Sequence, residues 1–401
     1  MRKVAAAAAV ILVMLLPCGA KSQTIYGMNY IGEAVHMGSS RHEALGYSAV
    51  AVQDTTNSVT SNPASTADLN KVTLTVHQVL SASRVYFLDY DSRQTRYTVP
   101  TFTASFPLRK GLVLTAGYRT RFYGRADFAY QIEVENAPTA FQNYKLDSNL
   151  FMLPVIMAWR PLSSLRVAAE AQFNLGSVID KVNVWFNDLE YKNVNSKRRR
   201  SYSGISWGAS VLWEAHPRLW LGCNIDGPVD YFVDEVIENT TAVLDTTTSF
   251  DYSLPLAFDV GFAANPFGRW WLSSSYWMRS STAPTGFPQL EGNVGDETHI
   301  GIGIERRASR EGHTLNRIPI RLGFYTDKWH IQFPEGQEVT SMFLTVGSAI
   351  PLGNSPGAID FTLEFGRTGS KTVNFVEENI FRFGLSFSVA ESWSRRKTVR
   401  H

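Results

Sequence analysis

Apolar and polar residues alternate with period two along most of the chain, and the alternating runs are long. Ile359, Phe361, Leu363 and Phe365 interleave with Asp360, Thr362, Glu364 and Gly366. Phe381, Phe383, Leu385, Phe387 and Val389 interleave with Arg382, Gly384, Ser386 and Ser388. Between 111 and 131, Leu112, Leu114, Ala116, Tyr118, Phe122, Phe128 and Tyr130 fall on one predicted face, and Thr115, Arg119, Arg121, Arg125 and Asp127 on the other. Tyr252, Leu254, Leu256, Phe258, Val260 and Phe262 form a similar row against Asp251, Ser253, Asp259 and Gly261. Successive side chains of a strand point to opposite faces, so each run sets an apolar face against a wet one.

A soluble sandwich carries this pattern in runs of about five or six residues. Several runs here exceed ten, about what a tilted strand needs to cross a bilayer. Fourteen strands are predicted, at 71–88, 96–108, 111–131, 147–160, 165–185, 201–214, 219–233, 250–264, 269–281, 297–307, 317–328, 338–351, 357–368 and 377–390. Connections at one end are tight, as at Arg109-Lys110, with only 308–316 longer; those at the other end are mostly long, at 132–146, 186–200, 234–249 and 282–296. Short turns, long loops and an even strand count are the asymmetry of a bacterial outer-membrane barrel. Backbone polar groups in hydrocarbon must pair internally, which leaves helices or closed barrels, and no apolar run after residue 23 reaches the ~18 residues of a membrane helix. The predicted fold is all-β: a transmembrane antiparallel β-barrel of about 14 strands with both termini in the periplasm. Trp159, Trp213, Trp270 and Trp393, near strand ends, suit interfacial girdles or a soluble core.

The first 23 residues read as an export signal, with Arg2 and Lys3 ahead of an apolar stretch from Val4 to Leu16. Cys18-Gly19-Ala20 and Ala20-Lys21-Ser22 both suit a signal peptidase; Pro17 disfavours a lipoprotein cut before Cys18. The mature chain keeps Cys223 alone and forms no internal disulfide. Four segments follow: signal peptide 1–23, a plug at 24–70, barrel 71–390 and a basic periplasmic tail 391–401.

Composition narrows the function. Apolar residues are 44%, aromatics 12% and the net charge +2, which gives no ground for nucleic-acid binding. Lys197-Arg198-Arg199-Arg200 falls in a predicted outward loop, where it meets lipopolysaccharide phosphates or stays solvated. The eight His are scattered, Gly-x-Ser-x-Gly and phosphate loops are absent, and His36 and His42 have no Cys or acidic pair at ligand spacing. No enzymatic activity, cofactor or metal is expected.

Ahead of the first strand, Ala44-Leu45-Gly46-Tyr47-Ser48-Ala49-Val50-Ala51-Val52-Gln53-Asp54, Asn57-Ser58-Val59 and Asn62-Pro63-Ala64 resemble the amino-terminal hatch of the FadL-like family of outer-membrane transporters of long-chain fatty acids and other hydrophobic compounds. Gly46, Asp54, Asn62, Pro63 and Ala64 carry the match, sharpest over 41–75. Pro63 fixes φ and biases Asn62 away from helix, Asn62 suits an Asx-turn, and Ala64 keeps the bend slim. Alone, that is a plain turn; before fourteen strands it is the joint between a lumen plug and its barrel. The resemblance also implies fourteen strands, a movable plug, and lateral exit of ligand at an inward kink of the third strand. Gly117 and Gly124 are candidates for that kink, or else ordinary small residues of a barrel wall. Leu150 to Trp159 is apolar on both faces, so Met152, Leu153, Val155, Ile156 and Met157 are candidate lumen contacts for a hydrophobic ligand, or for the plug. Arg382, Gly384, Phe387 and Val389 resemble the signal read by the barrel assembly machinery. The expected function is passive uptake of hydrophobic small molecules across the outer membrane, with outer-membrane lipid and lipopolysaccharide as surroundings. The alternative is a secretion or surface-attachment shuttle that docks exported proteins.

Overall fold

The computed structural model describes residues 26, 31–87, 90–133, 139–188, 190–239, 246–280, 294–309, 314–333, 337–352 and 357–391. The signal segment and Trp393, with nearly all of the basic tail, lie outside the described residues. A two-residue strand β1 (Glu33–Ala34) precedes β2 (Val72–Phe87), β3 (Tyr90–Arg109), β4 (Leu112–Ile132), β5 (Ala140–Leu162), β6 (Leu165–Phe186) and β7 (Val194–His216). Then come β8 (Leu219–Asp226), β9 (Val229–Asn239), β10 (Thr246–Leu254), β11 (Ala257–Phe267), β12 (Trp270–Arg279), β13 (Glu297–Arg306), β14 (Ile320–Phe333), β15 (Gln337–Pro351), β16 (Ala358–Ser370) and β17 (Val376–Glu391).

Every pairing is antiparallel, and β17 pairs with β2 from Val376↔Phe87 to Glu391↔Val72, so the sheet closes on itself. β8 and β9 are halves of one barrel strand interrupted at Gly227-Pro228, and β10 and β11 are halves of another interrupted at Pro255-Leu256. Proline has no N–H to give to the ladder. Counted as staves, the barrel has 14 strands, with β1 set against β4. Trp159, Trp213 and Trp270 are exposed on the outer face near the tight turns.

The strands outrun the predicted boundaries at the opposite end. β5 and β7 each have 23 residues and β6 has 22, about twice what a tilted membrane strand needs. The expected long loops at 132–146, 186–200 and 234–249 are therefore largely strand, and Lys197 to Arg200 belong to β7.

Alternation also changes sides within single strands. In β4, Leu112, Leu114 and Ala116 lean outward while Thr115, Arg119 and Arg121 are buried inside; after a bulge at Arg121, Phe122, Ala126 and Phe128 point inward and Arg125 and Asp127 outward. An extra residue in one strand moves all later side chains to the other face. The row Tyr252 to Phe262 behaves alike: Tyr252 and Leu254 are buried within, whereas past the Pro255-Leu256 break Val260 and Phe262 are exposed outside and Asp259 is within. The single apolar faces expected for these two segments are thus each split. The inverted residues build an apolar interior of Phe122, Phe128, Leu146, Leu150, Val178, Tyr202, Tyr231 and Tyr252 near the long-loop end.

Candidate functional site

Residues 39–69 fill the turn-end half of the ring and touch strands on all sides of it, while Ile31 to Ala34 reach higher, against β4 and the apolar interior. Asn62 caps the short 3-10 helix Pro63–Asp68, its Oδ1 accepting from the Ala64 N–H at 3.0 Å, which is an Asx-turn. Its Nδ2 donates to the Val50 carbonyl at 2.8 Å and to the Val211 carbonyl of β7 at 2.9 Å. The Ala64 N–H is shared with Ser210 Oγ at 3.0 Å, and the Ala64 methyl packs with Ile156, Ala158, Ala168 and Leu212. Gly46 sits at φ +60°, and a Cβ there would lie 2.6 Å from the Phe324 carbonyl oxygen. Only glycine fits both demands.

Below this turn the buried segment is held by charge. Arg41 reaches Asp54 at 2.9 Å and Glu305 of β13 at 2.8 Å, and Arg321 of β14 pairs with Glu305 at 2.9 Å and with Asp360 of β16 at 2.6 Å. Asp54 also accepts from Thr56 and Asn57. Burial works to raise the Asp54 pKa, but Arg41 and the Asn57 hydrogen bond more than offset it and hold the carboxyl well below the usual range. His42, the residue after Arg41 and buried, is pushed down to about 4 by burial, with Arg41, Arg321 and His77 adding to the effect and Asp54 opposing it.

Higher in the lumen, β3 and β4 part. Their pairing ends at Thr101↔Arg119, after which β3 continues with β2 alone and β4 with β5. β1 covers part of the free β4 edge through Glu33↔Tyr123 and Ala34↔Phe122, and the Val35 N–H donates to the Arg121 carbonyl at 3.0 Å. The Arg96 guanidinium of β3 lies 4.5 Å over the Tyr123 ring of β4, bridging the parting by side chain. Behind it is a cavity with about 860 Å³ of space, its opening to solvent included, reached by Arg96, Thr98, Pro100, Thr120 and Tyr123 from the parted edges. His36, Tyr47, Asp327 and Arg382 line its inner side.

The residues picked from sequence fall in different places. Gly46, Asp54, Asn62, Pro63 and Ala64 all lie in the buried segment ahead of β2. The parting begins between Gly117 and Gly124: an added Cβ at Gly117 would lie 2.2 Å from the Phe102 carbonyl oxygen, and one at Gly124 3.1 Å from the Gly32 Cα. Gly117 thus lets β3 approach and Gly124 lets Gly32 approach. Of the candidate lumen contacts, Met152 and Ile156 point inward, but Leu153 (38% exposed), Val155 (43%) and Met157 (43%) are on the outer face. These three are corrected: alternation holds through this part of β5, and apolar residues occupy both sides of it. The basic run lies on β7 and not in a loop. Lys197 pairs with Glu238 at 2.9 Å, Arg198 with Glu235 at 3.7 Å, and Arg200 with Glu235 at 2.6 Å and Asp180 at 3.7 Å, so neighbouring strands neutralise most of it.

Two features escaped sequence reasoning. One is the inward aromatic cluster, hidden because inverted alternation looks like ordinary alternation. The other brings His36, His299 and Asp327 together from distant segments, which no spacing rule detects.

The comparisons agree on architecture. Residues 229–399, under half of the chain, match the family model described as BamG. No curated protein matches the chain. A FadL homologue from Pseudomonas aeruginosa aligns at TM-score 0.61 and 9% identity, over 89% of this chain and 99% of its own. The toluene transporter TodX of Pseudomonas putida aligns at TM-score 0.58 and 10% identity, over 90% and 100%; the toluene transporter TbuX of Ralstonia pickettii does so at 0.54 and 14%, over 82% and 92%. At such identities the likeness is one of architecture, and it spans nearly the whole of those chains: this protein has the FadL-type outer-membrane barrel fold.

Proposed function

We propose that this chain is an outer-membrane channel for passive uptake of hydrophobic small molecules, with residues 24–70 as a plug that shifts during passage. The observation that carries the reading is the parting of β3 and β4, whose unpaired edges line the lumen cavity. An apolar guest entering from the long-loop end meets Phe122, Tyr202, Tyr231 and Tyr252 first, then the cavity, then the parting. The exposed apolar belt, including Leu153, Val155 and Met157, is assigned to outer-membrane lipid. A lateral way out suits such a guest, because leaving into lipid spares it a return to water. The printed names of TodX and TbuX as toluene transporters point to the same class of substrate. The route needs neither cofactor nor energy source.

The test is uptake of a monoaromatic hydrocarbon and of a long-chain fatty acid by cells with and without the gene, with mass spectrometry of molecules that co-purify in mild detergent. Loss of uptake with a lipid-like molecule retained by the protein supports the reading. Unchanged uptake of both classes contradicts it.

A second reading is a docking platform for exported proteins. It is favoured by the rigid wall of β6, β7 and β9 on the long-loop side, with its row of ion pairs between Asp180, Lys197, Arg198, Arg200, Glu235 and Glu238. A stoichiometric protein partner with a ligand-free lumen would decide for it.

A further inference from the structure

We propose that His36, His299 and Asp327 form a binding site for a divalent transition-metal ion of the zinc class, which clips the plug to the barrel wall. His36 follows β1 in the plug, His299 stands on β13 and Asp327 on β14. Each offers one ligand atom, and the three atoms lie within 4.8 Å of one another. Two imidazoles and a carboxylate are a donor set that zinc accepts, with an open fourth position.

The ligand atoms stand slightly closer together than in a loaded site. His36 Nε2 is 3.0 Å and His299 Nδ1 2.6 Å from Asp327 Oδ1. Zinc bonds of about 2.0–2.2 Å set tetrahedral ligands roughly 3.3–3.5 Å apart. Loading therefore needs small withdrawals of side chains, with no rearrangement of strands.

Charge and hydrogen bonding favour a cation here. The neighbouring cationic side chains are already engaged: Arg382 with Glu33 and Glu364, Arg279 with Glu297, and Lys328 with Glu338. Among the described ion pairs, Asp327 faces only the two imidazoles. Asp259 Oδ1, whose residue lines the same cavity as His36 and His299, is buried without a hydrogen-bond partner. Buried polar atoms are normally satisfied. An ion bearing a water in its open position would supply charge for the one carboxylate and a donor for the other. Tyr47 and Tyr325 wall the site, with ring centroids 4.9 Å from His36 and 5.4 Å from His299 respectively. Such walls lower the local dielectric and strengthen a charge interaction.

The position gives the ion a mechanical role. One ligand comes from the plug beside the strand that pads the β4 edge, and two come from the wall. Occupancy therefore holds the plug against β13 and β14; removal frees its upper end. This inference does not depend on what passes through the lumen.

The test is zinc titration of the untagged full-length protein in detergent, by calorimetry and by competition with a chromogenic chelator. Folded-barrel mobility on gels serves as the fold control. One Zn²⁺ per chain is expected, with a Kd of about 1 µM or below. His36→Ala, at a position outside the barrel strands, should weaken binding by about 100-fold, and His36→Cys should restore much of it because thiolate is a zinc ligand. Zn²⁺ should also slow proteolysis of the plug in the wild type and not in His36→Ala. Absence of stoichiometric binding, or binding equal in wild type and His36→Ala, overturns the proposal.

Discussion

One β wall encloses two unlike interiors. At the turn end, Arg41, Asp54, Glu305, Arg321 and Asp360 fix residues 31–69 through directional contacts, and Asn62 ties that segment to β7. At the long-loop end, Phe122, Leu150, Tyr202, Tyr231 and Tyr252 meet without ion pairs among them. Buried charges tolerate one geometry, because each must keep its partner. Apolar contact is non-directional and can be repacked around a guest. The turn end is thus suited to sealing and the long-loop end to admitting.

The sharpest break of that contrast is Arg41→Ala. It leaves Asp54 and Glu305 buried without their shared cation and should cost about 3–5 kcal/mol, read as a large fall in thermal stability and as rapid proteolysis of 31–69. Tyr231→Ala, at the other end, should cost about 3 kcal/mol through lost packing and weaken retention of an apolar guest, while leaving plug proteolysis unchanged. Asn62→Ala strands the Val50 and Val211 carbonyls and should cost about 1–3 kcal/mol. Plug proteolysis should report it before the barrel's gel mobility does.

The smallest effect concerns pH. His42 sits at about 4 in the folded chain against about 6.5 when unfolded, so protons favour the unfolded state. Its contribution is fully present above about pH 6.5 and is lost as pH falls toward 4. Between about pH 8 and about pH 6 the loss is about 1 kcal/mol, and His42→Asn should remove that part of the slope. Asp54, held below its ordinary range, loses its contribution only at lower pH. Equal slopes for wild type and His42→Asn would contradict a neutral, enclosed His42.

Much of the barrel was legible because closure, strand count and turn asymmetry all leave periodic marks. β16 and β17 read correctly: Asp360, Thr362, Glu364, Ser386 and Ser388 are inside, while Phe365 and Phe381 are exposed outside. Period two does not say which face is in. Where a bulge at Arg121 or a proline break at 255–256 intervenes, parity runs on in the sequence while the faces exchange. The apolar interior was invisible for that reason, and Leu153, Val155 and Met157 were assigned inward because an apolar run lacks any phase. The plug motif was legible as a local turn. Its partners, Val211 and Ser210, lie about 150 residues away, and so do not appear in any window. His299 and Asp327 meet as cross-strand partners of β13 and β14, and His36 joins them from nearly 300 residues away, so no local window holds the three.

The central claim is that guests leave through the parting of β3 and β4. The direct measurement is hydrocarbon uptake in a Cys223→Ser background carrying Thr98→Cys, before and after labelling with a bulky thiol reagent. Thr98 lines the cavity at the parted edge, whereas Ser253→Cys on the exposed outside of β10 provides the control. Labelling at 98 should reduce uptake to that of cells lacking the protein, and labelling at 253 should leave it unchanged. Full labelling at 98 with undiminished uptake would contradict lateral exit.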